Sequence, residues 1–502
     1  MKIREKAAMH FYPIKKHFLY WFIWILLSLS MLLFSGRVFK LEYMIAFLIL
    51  LLSLFIARKN PSPSSHLNIF GAGYILPFCL AFIPRLIYCI AINPYIKQYD
   101  DFAIVLEEAA SASFTDRLSY YSIYAHKIYY PLILHTLNLR SQIGIFIFQC
   151  VLCGMVCVVI FQTCSRFFGC AAGKIGAFLY AFWPGQIIYT AITTEEHLAA
   201  LLAVLIVFGL LWIIQKTCET PYASYSSTLL IALLTGVTSG CIAFFKDWGM
   251  ILLIAFLITG IWLLFHYTSA RQRVTLLIFL VILFLSRIGT QEAMSVGAKH
   301  IIGTIAGNNV IIAEMFTTLD PNTSGSYNEQ GDAEYEQIVI KNHGDYSKAN
   351  QEAMSILWQR IRKDIYKMPS HLLKKGTESY ADDSSMLYWA LRLGYVKGSE
   401  NEPASFGIRL LWEIARLYYS YIIVVIIIGC LVKPQKSKFF LMLSMIGSLC
   451  VGLLVESQGR YKYSIEPCWA ILAAVCFQDL IQTTNIFFLR KIPAPCRNAK
   501  SQ

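Results

Sequence analysis

The sequence predicts an all-α polytopic membrane protein with about twelve transmembrane helices and one modest loop domain on its outer face. Three observations carry this. The 502-residue chain is 57% hydrophobic and only 15% charged, too little charge for soluble domains of that total length. Apolar runs of about 17–20 residues recur from end to end, each long enough to cross a bilayer as a helix. The runs are continuous rather than alternating, which excludes a β-barrel.

Each run can be placed by the charges that flank it, because Lys and Arg stay on the cytoplasmic side. A basic N-terminus (Lys2, Arg4, Lys6, Lys15, Lys16) puts the start of Phe18–Phe34 inside. No A-x-A-like site follows that run, so it reads as a first transmembrane helix rather than a signal peptide. Leu41–Ala57 returns to the basic, Pro/Ser-rich "ARKNPSPSSH", and Ile69–Ile92 exits to "QYDD". Ile143–Phe161 returns to Arg166 and Lys174, and Ile175–Ile192 exits to "TTEEH". Leu198–Ile214 returns to Lys216, and Leu229–Phe245 exits to "KDW". Trp248–Phe265 returns to Arg271 and Arg273, and Val274–Ile288 exits to a long polar segment. Leu417–Val432 returns to "KPQKSK", Phe439–Leu454 exits to "ESQGRYKY", and Ile465–Ile481 returns to a tail with Arg490, Lys491, Arg497 and Lys500. The threading closes with every short inner loop basic and both termini cytoplasmic. It accounts for the net charge of +13 as membrane orientation and implies no nucleic-acid partner.

The organisation expected is an N-terminal helix pair (1–57), a transmembrane core (58–290) with a first outer loop (93–142), an extracytoplasmic loop (291–408), and C-terminal helices with a basic tail (409–502). The long loop opens with the turn-rich "GTIAGNN". It then places Met354, Leu357, Trp358, Ile361 and Ile365 at helical spacing among Arg360, Arg362, Lys363 and Lys367. Such an amphipathic helix suits either the lipid headgroups or packing within the loop. The 14 cysteines lie almost entirely in or beside apolar runs. Cys150 and Cys153 form a C-x-x-C, but inside a span, where small buried hydrophobes are the expectation.

Ionisable groups at membrane helix ends are costly, and several gather on the outer face. They are Arg85 followed by "QYDDFAIVLEEA", "FWPGQIIYTAITTEE", "GVTSGCIAFFK" and "ESQGRYKYSIEP". This ordered set resembles the GT-C superfamily of polytopic glycosyltransferases. Its family 39 group holds the protein O-mannosyltransferases and the bacterial aminoarabinose transferase of lipid A. The shared features are an acidic pair after an Arg-bearing helix, a Pro-containing helix leading to an outer Glu, a glycine-rich helix ending in Lys, and a late Glu and Arg-Tyr before a Pro-led helix. Two helices precede the one that matches the family's first, so the N-terminal pair is an addition.

The resemblance implies GT-C architecture, a site outside the cytoplasmic membrane, and transfer of a sugar from a polyprenyl phosphate, undecaprenyl phosphate in a bacterium, with inversion. The acceptor is a protein, a cell-wall polymer or a glycolipid. Such a displacement needs a base for the acceptor proton and cations for the leaving phosphate. Asp100 is the expected general base. Asp101 is expected to bind the acceptor, tune its neighbour or hold a divalent cation, although no cofactor is required. Lys246, Arg460 and Arg85 are the phosphate candidates; Glu195, Glu196, Glu456, Tyr461 and Tyr463 the acceptor or sugar candidates. Each has a plainer reading. The acidic pair can cap a helix, Lys246 can snorkel beside Asp247, Arg460 can pair with Glu456, the tyrosines can form an interfacial belt, and His197 can be structural. Two other classes fit twelve helices: a lipid-linked sugar flippase or transporter, with broken helices and an internal repeat, and a polysaccharide polymerase or ligase.

Overall fold

The computed structural model describes residues 18–35, 41–59, 73–111, 125–219, 225–266, 269–302, 310–326, 328–387, 406–433 and 435–489. The basic N-terminus, most of "ARKNPSPSSH", the stretch "GTIAGNN" and the basic tail lie outside them. In chain order the helices are α1 (Phe18–Phe34), α2 (Leu41–Lys59), α3 (Ile75–Ile92), α4 (Asp100–Ser111), α5 (Tyr129–Thr136), α6 (Gln142–Phe168) and α7 (Cys170–Ala181). There follow α8 (Pro184–Ile188), α9 (Glu196–Glu219), α10 (Tyr225–Cys241), α11 (Trp248–His266), α12 (Ala270–Ile302) and α13 (Val310–Thr318). The last are α14 (Glu329–Lys341), α15 (Tyr346–Lys363), α16 (Met368–Tyr380), α17 (Ser384–Leu387), α18 (Phe406–Val432), α19 (Lys436–Leu454) and α20 (Glu466–Leu489). No strand occurs among the described residues.

Among the described residues eight helices are long and apolar enough to cross a membrane: α3, α6, α9, α10, α11, α12, α18 and α19. The chain is a multi-pass helical membrane protein. Of the other expected runs, α1, α2 and α7 are apolar but shorter. The last run forms α20, whose apolar sequence is interrupted by Glu466, Gln478, Asp479 and Gln482. From Glu466 to Leu480 it is almost wholly buried between α6, α7 and α18. Its charges are met inside the protein: Asp479 by Lys438 at 2.8 Å, and Glu466 by the Gln186 amide at 2.8 Å.

The expected single helix over Ile175–Ile192 is corrected. Helix α7 stops at Ala181, and Pro184 opens the short α8. Proline has no N–H and its ring strikes the carbonyl four residues back, so the helix cannot run through it. The freed carbonyls are met by Arg85 from α3. Its guanidinium donates to Ala181 O at 3.0 Å and Tyr180 O at 3.2 Å, and also to Ala81 O at 3.0 Å. A backbone break at membrane depth survives only where protein satisfies it.

Two glycines bring α10 against α12. A Cβ at Gly236 would meet Ser286 and the Leu283 backbone, and one at Gly240 would meet Thr290 and the Arg287 carbonyl. Small residues four apart allow this close approach between membrane helices.

The long loop folds as a helical unit of α13 to α16. Phe316, Leu319, Tyr335, Ile338, Ala349, Ala353, Leu357 and Ile361 form its own core. The amphipathic helix α15 therefore spends most of its apolar face on the loop, leaving Trp358 exposed, as is Ile365 in the turn that follows. Burial of Leu357 and Ile361 is worth about 1.5–3 kcal/mol each, enough to decide which way the helix turns. The unit is pinned to the bundle by Lys375 on α16, which donates to Thr318 O (3.3 Å), Gly325 O (3.1 Å) and Val455 O (2.6 Å). The N-terminal pair braces the C-terminal helices. Tyr20 and Trp24 of α1 donate to carbonyls of α18, each at 2.9 Å, and Phe34 stacks on Tyr380 of α16.

Candidate functional site

Charged helix ends from distant parts of the chain meet at one end of the bundle. After α3 the chain turns through "NPYIKQYDD". Gln98 fixes this turn to the segment before α9: its amide donates to Ala191 O at 3.1 Å, and its oxygen accepts from Thr193 N at 3.1 Å. Asp100 and Asp101 then open α4, where the helix dipole favours anions. Asp100 is exposed and holds a left-handed φ of 47°. Asp101 faces inward: Lys127 Nζ lies 2.8 Å from its Oδ2, and Arg460 Nη2 lies 4.0 Å from the same atom.

Arg460 and Tyr461 sit in a 3-10 turn, Gly459–Lys462, between α19 and α20. The Arg460 guanidinium stands 5.0 Å over Phe102 and 5.3 Å from the Tyr461 ring. The Tyr461 hydroxyl donates to Glu456 Oε2 at 2.7 Å. The structure thus pairs Arg460 with Asp101, and it gives Glu456 to Tyr461.

Lys246 ends the α10 segment. Its neighbour Asp247 is gripped by Arg287 of α12 through two hydrogen bonds, 3.0 and 2.9 Å. The same guanidinium donates to Ser239 O and Oγ at 2.5 and 2.8 Å. With Asp247 committed there, Lys246 reaches the other way. Its ammonium is 3.7 Å from Glu196 Oε1 and 4.0 Å over the Tyr461 ring. Glu196 is buried at the first turn of α9, and Glu195 accepts from Thr194 Oγ1 at 3.4 Å.

Of the residues singled out from the sequence, Asp101, Lys246, Arg460, Glu196, Glu456 and Tyr461 come together, with Asp100 at their rim. Two lie beneath. Arg85 is fully buried on the carbonyls of the α7 break. Tyr463 is fully buried with its hydroxyl 2.7 Å from His197 Nδ1 and 3.6 Å from Cys153 Sγ. Both support the site from below rather than face into it. His197 is fully buried against Tyr463, and Cys150 and Cys153 are buried in α6.

Two residues at the site were missed. Lys127 precedes α5 in "AHKIYY", in a loop that also carries Lys97, Arg117 and Arg140, so nothing in the sequence set it apart. Glu314 lies on α13 in "VIIAEMFTT", a single carboxylate within an apolar stretch. It is partly buried, and burial pushes its carboxyl up to about 7; Lys246, Lys127 and Lys375 pull it down and Glu456 adds to the rise. Lys375 is pushed down to about 8 by its own burial.

The arrangement alternates charge: Lys127, Lys246 and Arg460 stand among Asp101, Glu196, Glu314 and Glu456. Lysine and arginine so placed can hold a phosphate that lacks room for its own hydration shell. The carboxylates can orient hydroxyl or amino groups and accept a proton. Among the described residues no group of His, Cys, Asp and Glu side chains is gathered so as to hold a metal ion. No protein-family model matches this chain, and no curated protein matches it.

Proposed function

We propose that the chain is an integral membrane glycosyltransferase. It moves a sugar from a polyprenyl phosphate, undecaprenyl phosphate in a bacterial cell, to a hydroxyl or amine presented outside the cytoplasmic membrane. The observation that carries this reading is the convergence of Lys127, Lys246 and Arg460, from three separate segments, around Asp101 and Glu196 at a bundle end. In this reading α1, α2, α7 with its continuation, and α20 complete twelve crossings of GT-C type, both termini are cytoplasmic, and the charged end is the outer one.

The donor's lipid tail lies among the helices and its phosphate rests on Lys246, Arg460 and Lys127. The acceptor enters past Asp100. Its oxygen or nitrogen attacks the anomeric carbon from the face opposite the phosphate, so the configuration inverts. As the bond to phosphate lengthens, negative charge grows on the leaving oxygens, and the fixed cations stabilise it; loss of one such donor costs about 10²–10³ in rate. Asp101 holds Lys127 and Arg460 in place, and Asp100 and Glu196 orient the acceptor and sugar hydroxyls. A divalent cation at Asp100 and Asp101 is not needed in this scheme.

One observation favours a second reading. The break between α7 and α8 is the kind of discontinuous helix that transporters use around a substrate, which suits a lipid-linked sugar flippase. The expected experiment separates the two. Membranes holding the wild-type chain are given a panel of labelled undecaprenyl-phosphate hexoses and pentoses. Consumption of one donor, lost by about 10²-fold in Lys246→Ala and Arg460→Ala and unchanged by EDTA, is the transferase outcome. Donor that crosses the bilayer intact is the flippase outcome.

A further inference from the structure

We propose that Glu314, carried by the loop unit rather than by the acidic pair, is the general base that takes the acceptor's proton. The inference rests on the transferase reading.

Three observations place it. First, Asp101, Glu196 and Glu456 are engaged, and Asp100 stands exposed at the rim. Asp101 is held by Lys127 at 2.8 Å, Glu196 lies 3.7 Å from Lys246, and Glu456 accepts the Tyr461 hydroxyl at 2.7 Å. The Glu314 side chain has no hydrogen bond or ion pair at contact distance to another described residue.

Second, the fold aims α13 at the reacting groups. Lys375 ties the end of α13 and the following turn to Val455, and Ser457 N donates to Gly325 O at 2.9 Å. Those contacts lie just ahead of the turn that carries Arg460 and Tyr461. The charged groups that face Glu314 are Lys246 from α10, Lys127 from the first loop, Lys375 from α16 and Glu456 from the end of α19. The first two are the proposed phosphate ligands, so Glu314 lies within electrostatic reach of the groups that would hold the leaving phosphate.

Third, its carboxyl is poised. Desolvation raises it to about 7 against the three lysines that oppose the rise. A base works best when its pKa lies near the working pH.

The step balances. The acceptor's lone pair forms the new bond to the anomeric carbon, its proton passes to a Glu314 oxygen, and the pair of the broken carbon–oxygen bond leaves on the polyprenyl phosphate. The protonated Glu314 then returns its proton to water. Asp100, which the sequence alone names for this task, is left to orient the acceptor at the rim.

The test is the pH dependence of donor consumption in membranes, using the undecaprenyl-phosphate panel and the full chain. Wild type is expected to lose activity about tenfold per pH unit below about 7. Glu314→Gln is expected to lose about 10²–10⁴-fold and with it the acid limb. Glu314→Asp is expected to keep the limb at reduced rate, which separates lost chemistry from lost folding. Asp100→Asn is expected to keep the limb. An acid limb that persists in Glu314→Gln, at a rate within about threefold of wild type, overturns the proposal; so does a limb that vanishes in Asp100→Asn instead. Wild type that consumes no donor, behaving as Lys246→Ala does, overturns the transferase reading itself.

Discussion

Lys246 and Asp247 are adjacent in sequence and act in opposite directions. Asp247 belongs to Arg287, and that grip turns Lys246 toward Glu196 and the Tyr461 ring. Arg287→Ala would leave Asp247 without its partner and Lys246 without its bearing. Breaking a buried pair costs about 3–5 kcal/mol; with Asp247 30% exposed, the low end of that range is expected. A fall in melting temperature of the detergent-purified protein, together with loss of donor consumption, is the expected outcome. Arg287→Lys should recover little of either, since it restores the charge but not the two-pronged geometry. Glu314 carries a second residue-scale prediction. Its folded pKa is raised, so the charged form is penalised above about 7 and the penalty disappears as pH falls through the unfolded value. Glu314→Gln should therefore melt no lower than wild type at pH 8, and lose that advantage near pH 4. A drop in melting temperature at pH 8 would mean the carboxylate is a structural anchor. The sequence singles out Lys246 and Arg460 because a charge at a membrane helix end is conspicuous. It missed Lys127 because the loop around it carries several charges, and Glu314 because its short apolar helix lies outside the membrane runs. It also gave Arg85 a phosphate, when the proline ninety-nine residues later in "FWPGQ" had already created the carbonyls that Arg85 serves.

Elements were legible wherever one period dominated. Apolar runs with basic flanks predicted α3, α6, α9, α10, α11 and α19 closely; α12 runs on fourteen residues past the expected Ile288, and α18 begins eleven before the expected Leu417. Hydropathy failed where a local rule outranked it. Pro184 ended α7 inside an apolar run, and the polar residues of α20 were accepted because partners wait for them in the bundle. The amphipathic α15 satisfied two expectations equally from its sequence; only the presence of α13 and α14 against it decided for packing. The N-terminal pair had no role that could be read from its own residues. It acquires one from Gly376, where a Cβ would strike the Phe34 ring. Gly376→Leu is expected to part α1 from α16 and so release the loop unit. Faster protease cleavage between α13 and α16, with the membrane helices still intact, would show it; an unchanged digestion pattern would deny α1 that role.

Over the whole molecule the two ends of the bundle differ in kind. One end gathers partly exposed, alternating charges. At the other, Lys438 and Asp479 pair at 2.8 Å with almost no exposure, and Lys433 and Gln435 close over them. In the proposed reading the first end receives the ligand, while the second is closed by its own residues. If the charged end is extracytoplasmic, Tyr95→Cys and Asn322→Cys should react with a membrane-impermeant maleimide in intact cells, and Lys433→Cys only after permeabilisation. The reverse pattern would turn the molecule over and sink the proposed function with it.

The interrupted helix has a consequence for how such a chain can change. From Ile188 to His197 every residue is buried. The stretch is fastened at fixed stations: Gln186 to Tyr463 O and Glu466, Ala191 to Gln98, Thr193 to Phe102 O, and Thr194 O to Gln149. It is a spacer of set length between the middle of the bundle and Glu196. Lipid-facing positions on α3 or α12 can drift among apolar residues at little cost. Here a single added or deleted residue would pull every later station out of register, so divergence in this stretch must proceed by exchange of side chains and never by change of length.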